Sequence, residues 1–248
     1  MFAIYKKELR SYFINPIGYI YVGMFLAVAA LLCCYFTLVV GSYDPSGYFF
    51  SMMIAFVILI PLLTMRLFAE ERKMRTEQLL LTSPVTITGM VLGKFLAALT
   101  LFAGTMLVSC INFIPMYVLA DAERSGASYD LVHIGPVTSQ IVGCMIALLL
   151  IGAAFIAIGT FISALTENQL AAAVLTIAVI GVMIGISFLN TLVDAYWLRT
   201  VLSFLSVYAR FAAFANGLFD FAAVFYYLSL SFVFLFLTVR VYEKRRWS

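Results

Sequence analysis

The chain consists of long stretches without Asp, Glu, Lys or Arg, separated by short polar segments. The uncharged runs cover residues 17–43, 45–65, 95–120, 131–166, 168–193 and 221–239. An α-helix rises about 1.5 Å per residue, so roughly 20 apolar residues cross a hydrocarbon core about 30 Å thick. The pattern therefore predicts six membrane-spanning helices, at residues 17–40, 48–68, 88–119, 137–164, 169–190 and 221–240.

The composition agrees with lipid as the solvent of this chain. Apolar residues make up 65% of the 248 residues, charged residues only 11%, and the mean hydropathy is +1.08. A soluble domain has roughly 25% charged and about 45–50% apolar residues. Several of the runs also lack the apolar–polar alternation of a membrane β-barrel. We therefore predict an all-α polytopic membrane protein that forms a single transmembrane domain over residues 1–248.

The basic residues are distributed unevenly between the two sides that six spans would define. Twelve of the fifteen Lys and Arg residues fall on the side of the termini, whereas the twelve acids divide equally. By the positive-inside rule, both termini are expected in the cytoplasm, with the protein in the cell (inner) membrane. The excess of Lys and Arg thus indicates topology and contact with anionic lipid. It gives no reason to expect nucleic acid as a partner.

The first residues, MFAIYKKELRSYF, form a separate amphipathic pattern. Their apolar face would contain Phe2, Tyr5, Leu9, Tyr12 and Phe13, with Lys6, Lys7, Glu8, Arg10 and Ser11 outside it. We expect a helix lying in the membrane interface. Continuation of the first span is the alternative, but Asn15-Pro16 disfavours it, because a residue before proline avoids helical angles.

The chain offers few residues for chemistry, and we expect no catalytic, metal or cofactor site on it. It has one histidine, and its four cysteines lie in apolar runs, where we expect small buried packing residues. The stretch from Gly89 to Gly93-Lys94 differs from a phosphate-binding loop. Such a loop needs four residues between its two glycines and a Ser or Thr hydroxyl directly after the lysine. We interpret the glycines as a close helix contact and Lys94 as an anchor near the interface.

The predicted spans contain no charged residue at the middle of the membrane. This argues against a transporter that couples through a titrating side chain, while a Na⁺ site made of carbonyls and hydroxyls stays open.

The segment between the second and third spans is the most informative part of the sequence. It begins with Glu70-Glu71-Arg72, continues to three leucines at 79–81, and reaches Ser83-Pro84 before the next apolar run. Residues 76–81 can form about one and a half helical turns, and Ser83 with Pro84 is typical of a helix start. The charges alone fit a solvated hairpin on the bilayer, whereas the leucines favour docking on another protein.

This segment resembles the signature of the ABC-2 family of ABC-transporter permeases: Glu-Glu-Arg, then Gly-Thr, a leucine run, Pro-Val and Gly-Lys. The matching residues are Glu70, Glu71, Arg72, Thr76, Leu79, Leu80, Pro84, Val85, Gly93 and Lys94. Arg75 stands where the family usually has Gly, which leaves the local turn geometry open, and Gln78 stands where an acid is common. The C-terminal residues, from Tyr226-Tyr227 to Arg245-Arg246-Trp247, further resemble gliding-motility-type permeases of that family.

The resemblance implies a division of labour between chains. Such permeases pair as six-span subunits, as two copies or with a related permease, and separate cytosolic ATPase subunits bind ATP and Mg²⁺. The ATPases dock on coupling elements, here about 70–84 and the turn 166–169, with the N-terminal helix forming part of the docking groove. The implied coupling residues are Glu70, Glu71, Arg72, Thr76, Leu79, Leu80, Pro84, Glu167 and Asn168. The expected function is export, and the alternative is a stand-alone channel or a scaffold of an envelope machine.

The segment before the last span is rich in aromatic residues. Residues 191–219 interleave aromatic side chains with Arg199 and Arg210; the resemblance implies a re-entrant segment, and a plain interfacial loop is the alternative. We expect Asn216-Gly217 and Asp220 to end it.

Small residues of the fourth span, together with the GxxxG pair Gly181 and Gly185, indicate helix contacts. Packing within one subunit is the expectation, and contact across a dimer is the alternative.

Overall fold

The computed structural model describes residues 1–40, 44–75, 86–126, 136–189, 197 and 206–247; for residues 122–126, 188–189 and 247 it describes the backbone alone. Every regular element in this part of the chain is helical. The α-helices are α1 Phe2–Ile14, α2 Pro16–Cys34, α3 Ser46–Thr64, α4 Ala69–Lys73, α5 Ile87–Ser109, α6 Phe113–Gly126, α7 Thr138–Leu165, α8 Gln169–Leu189, α9 Val207–Ala215 and α10 Phe221–Trp247.

Within the described residues, six helical stretches are long and apolar enough to cross a membrane. They are Pro16–Val39, Ser46–Lys73, Ile87–Asp121, Thr138–Leu165, Gln169–Ser187 and Phe221–Arg246. Each stretch overlaps its predicted span, so the predicted all-α fold with six spans is confirmed. The stretches are not uniform helices, however, and the irregular turns within them occur at identifiable positions.

Irregular turns occur within or at the end of the first three described spans. The first span ends in a π-helical turn, Tyr35–Val39, and the third contains a 3₁₀ turn, Cys110–Asn112, just before α6. Pro115 lies in the first turn of α6. It disfavours a regular α-helix across this region, because its ring would clash with the carbonyl group four residues earlier. The second span unwinds after Thr64, between α3 and α4.

Helix α1 is separate from α2, as the sequence predicts. Asn15 takes an extended conformation (φ −82°, ψ 144°) and Pro16 occupies the first position of α2. A Cβ on Gly18 would collide with the carbonyl oxygen of Tyr12, so glycine permits the close turn from α1 into α2. That α1 lies in the membrane interface stays a prediction.

Helix α7 lies at the centre of the bundle and contacts α3, α5, α8, α9 and α10. Its small residues allow this. A Cβ on Gly159 would overlap the side chain of Thr64 on α3, and one on Gly152 would overlap the ring of Phe102 on α5. For this helix, the prediction that small residues form contacts within the subunit is confirmed.

The GxxxG pair on α8 makes no such contact with the described residues, so the prediction of a helix contact at this pair stays a prediction. A Cβ built on Gly181 or Gly185 meets no atom of the described residues within 4 Å. The surrounding face, which includes Val174 and Val182, is exposed. The spacing of small residues alone does not specify which helix, if any, they meet.

The cysteine prediction is confirmed in part. Cys33 and Cys144 are buried, Cys110 is half-buried, and Cys34 is exposed on α2. Consecutive residues of a helix point about 100° apart, so Cys33 and Cys34 cannot both face the bundle.

Helix α9 packs on the ends of α7 and α8 opposite α4. Its N-cap Ser206 accepts a hydrogen bond from Ala209 N (3.0 Å), and the hydroxyl of Tyr227 donates to the Val207 carbonyl (2.8 Å). Gly217, with φ +75°, ends the segment, and Asp220 Oδ1 accepts from Ala222 N at the start of α10 (2.8 Å). The predicted end of the element is therefore confirmed. Most of 191–205 lies outside the described residues, and the re-entrant path stays a prediction.

We expect Gly159→Ala to lower the free energy of unfolding by about 1–3 kcal/mol, because the added methyl group overpacks the contact between α3 and α7. The control is Gly104→Ala on exposed α5 surface, where a Cβ meets no described atom within 4 Å and alanine should be neutral or stabilising. Thermal unfolding in detergent, followed by circular dichroism, measures both. Equal stability of the two variants would contradict the close approach of α3 to α7.

Candidate functional site

Charged side chains of α1, α4 and α5 converge around a buried lysine. Lys94 lies in the second turn of α5, and its side chain is 2% exposed. Its Nζ donates to the Leu67 carbonyl oxygen (2.6 Å) and lies 2.8 Å from Glu71 Oε1 and 3.2 Å from Glu8 Oε1. An ammonium group has three donors, and these three oxygens can accept all of them. We call Lys94, Glu8, Glu71 and the Leu67 carbonyl the Lys94 cluster.

The cluster corrects the expectation that Lys94 is an anchor near the interface. A buried charge is tolerated when it is paired and fully hydrogen-bonded, and Lys94 meets both conditions. Its Nζ also lies 5.0 Å from the ring centre of Phe68, a cation–π distance. Lys94 therefore acts as a link between elements that are distant in sequence.

Glycines on α5 bring α1 close enough to join the cluster. A Cβ on Gly93 would lie 3.2 Å from the Met1 carbonyl oxygen and 3.3 Å from Ile4 Cβ. A Cβ on Gly89 would lie 3.6 Å from Met1 Cβ. The prediction that these two glycines form a close helix contact is confirmed, and the partner is α1.

The inward face of α1 differs from the predicted one. Ile4 and Tyr12 are buried, and Glu8, which lies between them at i+4, points to Lys94. Phe2 and Phe13, placed on the apolar face by the sequence pattern, are exposed. The apolar pattern places Glu8 on the solvent side of α1. In the structure Glu8 pairs with the buried Lys94 of α5, so this side of the helix faces the bundle.

Tyr12 fixes the other end of the same face. Its hydroxyl donates to the Leu63 carbonyl (3.3 Å), close to where α3 ends. Burial, reinforced by the negative charge of Glu8, raises the pKa of Tyr12 well above its ordinary value. The phenol is therefore neutral at physiological pH and serves as a hydrogen-bond donor.

The break between α3 and α4 is stabilised by a residue of α7. Ser163 Oγ accepts hydrogen bonds from Phe68 N (3.1 Å) and Ala69 N (3.2 Å), and donates to the Met65 carbonyl (3.3 Å). These are backbone groups that the break leaves without helical partners. The sequence indicated Ser163 only as a small residue, since its partners lie more than 90 positions away.

The two predicted coupling segments meet at Arg72. Its guanidinium group forms an ion pair with Glu167 (2.7 Å) and donates to the Leu165 carbonyl (2.9 Å). Glu167 belongs to the turn between α7 and α8, where Asn168 Oδ1 accepts from Leu170 N (3.1 Å) and caps α8. The helix α4 is thus attached to this turn as well as to α1 and α5.

Glu70 is held within its own segment. Arg66 donates twice to the Glu70 carboxylate, from Nε and from Nη2, each at 2.7 Å. This is the bidentate arrangement in which arginine and carboxylate interact most strongly. Both acids of the Glu-Glu-Arg sequence are therefore engaged in contacts inside the protein.

Arg75 ends the described part of this segment with a positive φ of 56°. This is the left-handed conformation that follows many helices and that glycine adopts without steric cost. The family signature has Gly at this position, so Arg75 keeps the turn geometry that glycine would favour.

The remaining predicted coupling residues, Thr76, Leu79, Leu80 and Pro84, and the predicted cap Ser83, lie outside the described residues. Among the described residues, no group of three His, Cys, Asp or Glu side chains could hold a metal ion.

Comparison with known proteins identifies the family. The sequence model of the ABC-2 family transporter protein matches residues 40–242. The chain belongs to this family. No curated protein matches it.

Family membership makes the chain a multi-pass transmembrane permease of an ABC transporter, a component distinct from the ATPase. The matched range includes α4, Lys94 and the turn 166–168, while α1 precedes it. The closer resemblance to gliding-motility-type permeases stays a prediction.

We expect Lys94→Met to cost about 3 kcal/mol or more of folding free energy, because it leaves the carboxylates of Glu8 and Glu71 without their shared partner. Lys7→Met is the matched control. Lys7 is 64% exposed and lies 3.8 Å from both Glu8 and Glu71, so its loss should cost less than about 1 kcal/mol. Thermal unfolding in detergent measures the difference, and a similar small cost for both variants would contradict the structural role of the cluster.

Replacement of Arg75 tests the left-handed turn. Arg75→Gly should be more stable than Arg75→Ala by about 0.5–1 kcal/mol, because alanine keeps the Cβ that disfavours positive φ. The order is the reverse of that expected in a helix interior, where alanine is better. Chemical or thermal unfolding of the two variants decides the sign.

Proposed function

We propose that this ABC-2 permease forms the translocation path of an ATP-driven exporter and couples to separate cytosolic ATPase subunits through residues 70–84 and 166–169. The observation that carries the proposal is the contact of Arg72 with Glu167 and the Leu165 carbonyl. It joins two segments that follow different spans and that the family resemblance assigns to ATPase docking.

The attachments of α4 suggest how movement of the docking segment would reach the spans. Helix α4 is connected to α5 and α1 through Glu71 and Lys94, and to α7 through Ser163 and Arg72. Residues 76–85 connect α4 to α5 along the chain. A displacement of this segment would therefore act on several spans together, which suits a rocking motion driven by closure of the ATPases.

Glu70 and Glu71 have a supporting role in this proposal. Both are paired with cations of the permease itself, so they hold the start of the docking segment in place. Leu79 and Leu80 would supply the apolar contact with the ATPase, and Glu167 and Asn168 a second polar contact. Glu167 is 72% exposed and accessible to a partner.

The partners follow from the same assignment. ATP and Mg²⁺ would be bound by the ATPase chains, and the permease would pair with a second copy or with a related permease in the cell (inner) membrane. The excess of Lys and Arg at the α4 end of the bundle supports a cytoplasmic location for that end and for both termini.

The first test is purification of the chain from its native membranes in a gentle detergent, followed by mass spectrometry. We expect a stoichiometric chain with ATPase motifs and Mg²⁺-dependent ATP hydrolysis, both lost when residues 76–81 are deleted. Deletion of 127–132, which removes the same number of residues between α6 and α7, should retain both. A homo-oligomer without an ATPase, reproducible in several detergents, would contradict the proposal and favour a stand-alone channel or scaffold.

A charge exchange tests the junction of the two segments. Arg72→Glu should reduce permease-stimulated ATP hydrolysis about fivefold, the equivalent of one partly exposed ion pair. The double variant Arg72→Glu/Glu167→Arg should regain part of it. The control is Arg240→Glu, which breaks a pair of similar length (2.7 Å) with Glu243 on α10 and should leave hydrolysis unchanged. Equal effects at both positions would show that the contact has no special role in coupling.

A further inference from the structure

The outer face of α1 carries three basic residues around an open groove. The groove has a volume of about 610 Å³ and is lined by Lys6, Lys7 and Arg10 together with Ala3, Ser11 and Ile14. It lies on the side of α1 opposite Ile4 and Tyr12, which are buried in the bundle. We call it the basic groove.

The positive charge of the groove is only partly neutralised within the described residues. Lys6 and Arg10 are one helical turn apart, as are Lys7 and Arg10, and like charges at these spacings destabilise a helix. No carboxylate of the described residues lies within ion-pair distance of Lys6 or Arg10, and Lys7 approaches Glu8 and Glu71 only at 3.8 Å. Both acids lie closer to Lys94. The repulsion along this face would be relieved by an anion from outside the chain.

The surroundings of the groove are apolar and exposed. Ile14 in its lining is 68% exposed, and Tyr19 in the first turn of α2 is 60% exposed. The rings of Phe13 and Tyr19 meet edge to face, 6.1 Å apart. Cations next to exposed aliphatic and aromatic groups at the start of a membrane span match the depth at which lipid headgroups meet acyl chains.

We propose that the basic groove binds an anionic phospholipid of the adjacent leaflet, with its phosphate between Lys6, Lys7 and Arg10 and an acyl chain along Ile14 and Tyr19. The lysine ammonium groups and the arginine guanidinium group supply charge-assisted hydrogen bonds to phosphate oxygens. The lipid holds α1 from outside, as Lys94 holds it from inside.

The test is native mass spectrometry of the purified full-length protein, titrated with phosphatidylglycerol or phosphatidylcholine of identical acyl chains. The wild type should bind phosphatidylglycerol more tightly. Each basic residue near an anionic headgroup contributes about fivefold, so the variant Lys6→Gln/Lys7→Gln/Arg10→Gln should lose on the order of 100-fold of that preference. The single variant Arg10→Gln should lose about fivefold, which gives a readout if the triple variant fails to fold.

The matched control is Lys244→Gln/Arg245→Gln/Arg246→Gln at the end of α10, which removes the same charge and should keep most of the preference. Equal loss in both triple variants would show a diffuse effect of net charge and overturn the proposal. No preference in the wild type would overturn it too. Retained lipid preference in the α1 variant, with loss of a bound acidic protein, would assign the groove to protein docking instead.

Discussion

The burial of the Lys94 ammonium group is the constraint on which the charged end of the bundle depends. A charge removed from water must have its hydrogen bonds supplied by the protein, and here the acceptors come from three places. Glu8 lies on α1, the Leu67 carbonyl in the break after α3, and Glu71 on α4. Because one nitrogen atom needs all three, the positions of these elements cannot vary independently.

The break in the second span is what makes one of those acceptors available. In a regular helix the Leu67 carbonyl would be used by a residue four positions later, whereas here it accepts from Lys94. Ser163 supports the break by bonding three backbone groups around it. Gly159, one turn earlier on α7, gives Thr64 the space to come this close. A central helix with small side chains is therefore linked to the position of the buried lysine.

The spans could be predicted from the sequence, because length and hydropathy are local properties that lipid imposes on any helix. The inward face of α1 could not, since apolar periodicity assigns Glu8 to solvent and its partner Lys94 lies 86 residues away. The role of Ser163 depends on a backbone break that no local pattern indicates. Gly93 and Gly152 were found by size alone, but the same criterion also selected Gly181 and Gly185, which meet none of the described residues, because the surroundings of a glycine depend on helix orientation.

The candidate coupling residues could be predicted only where the family signature, a short continuous sequence pattern, names them. That signature pointed to Arg72 and to the turn at Glu167, and the two are in contact. It did not indicate that Glu70 and Glu71 are paired internally. Arg75 shows why a departure from the signature can be tolerated: its backbone adopts the conformation that the usual glycine provides, so the turn is retained at a local steric cost.

The distance in sequence between Glu8 and Lys94 also has a consequence for biosynthesis. An unpaired lysine is expensive inside a bilayer, and the carboxylate of Glu8 is made long before its partner. Helix α1 can therefore complete its contact with Lys94 only after the third span has been made. Insertion of that span and docking of α1 are then a single event, so α1 is synthesised before α2 and α3 but completes its contacts after them.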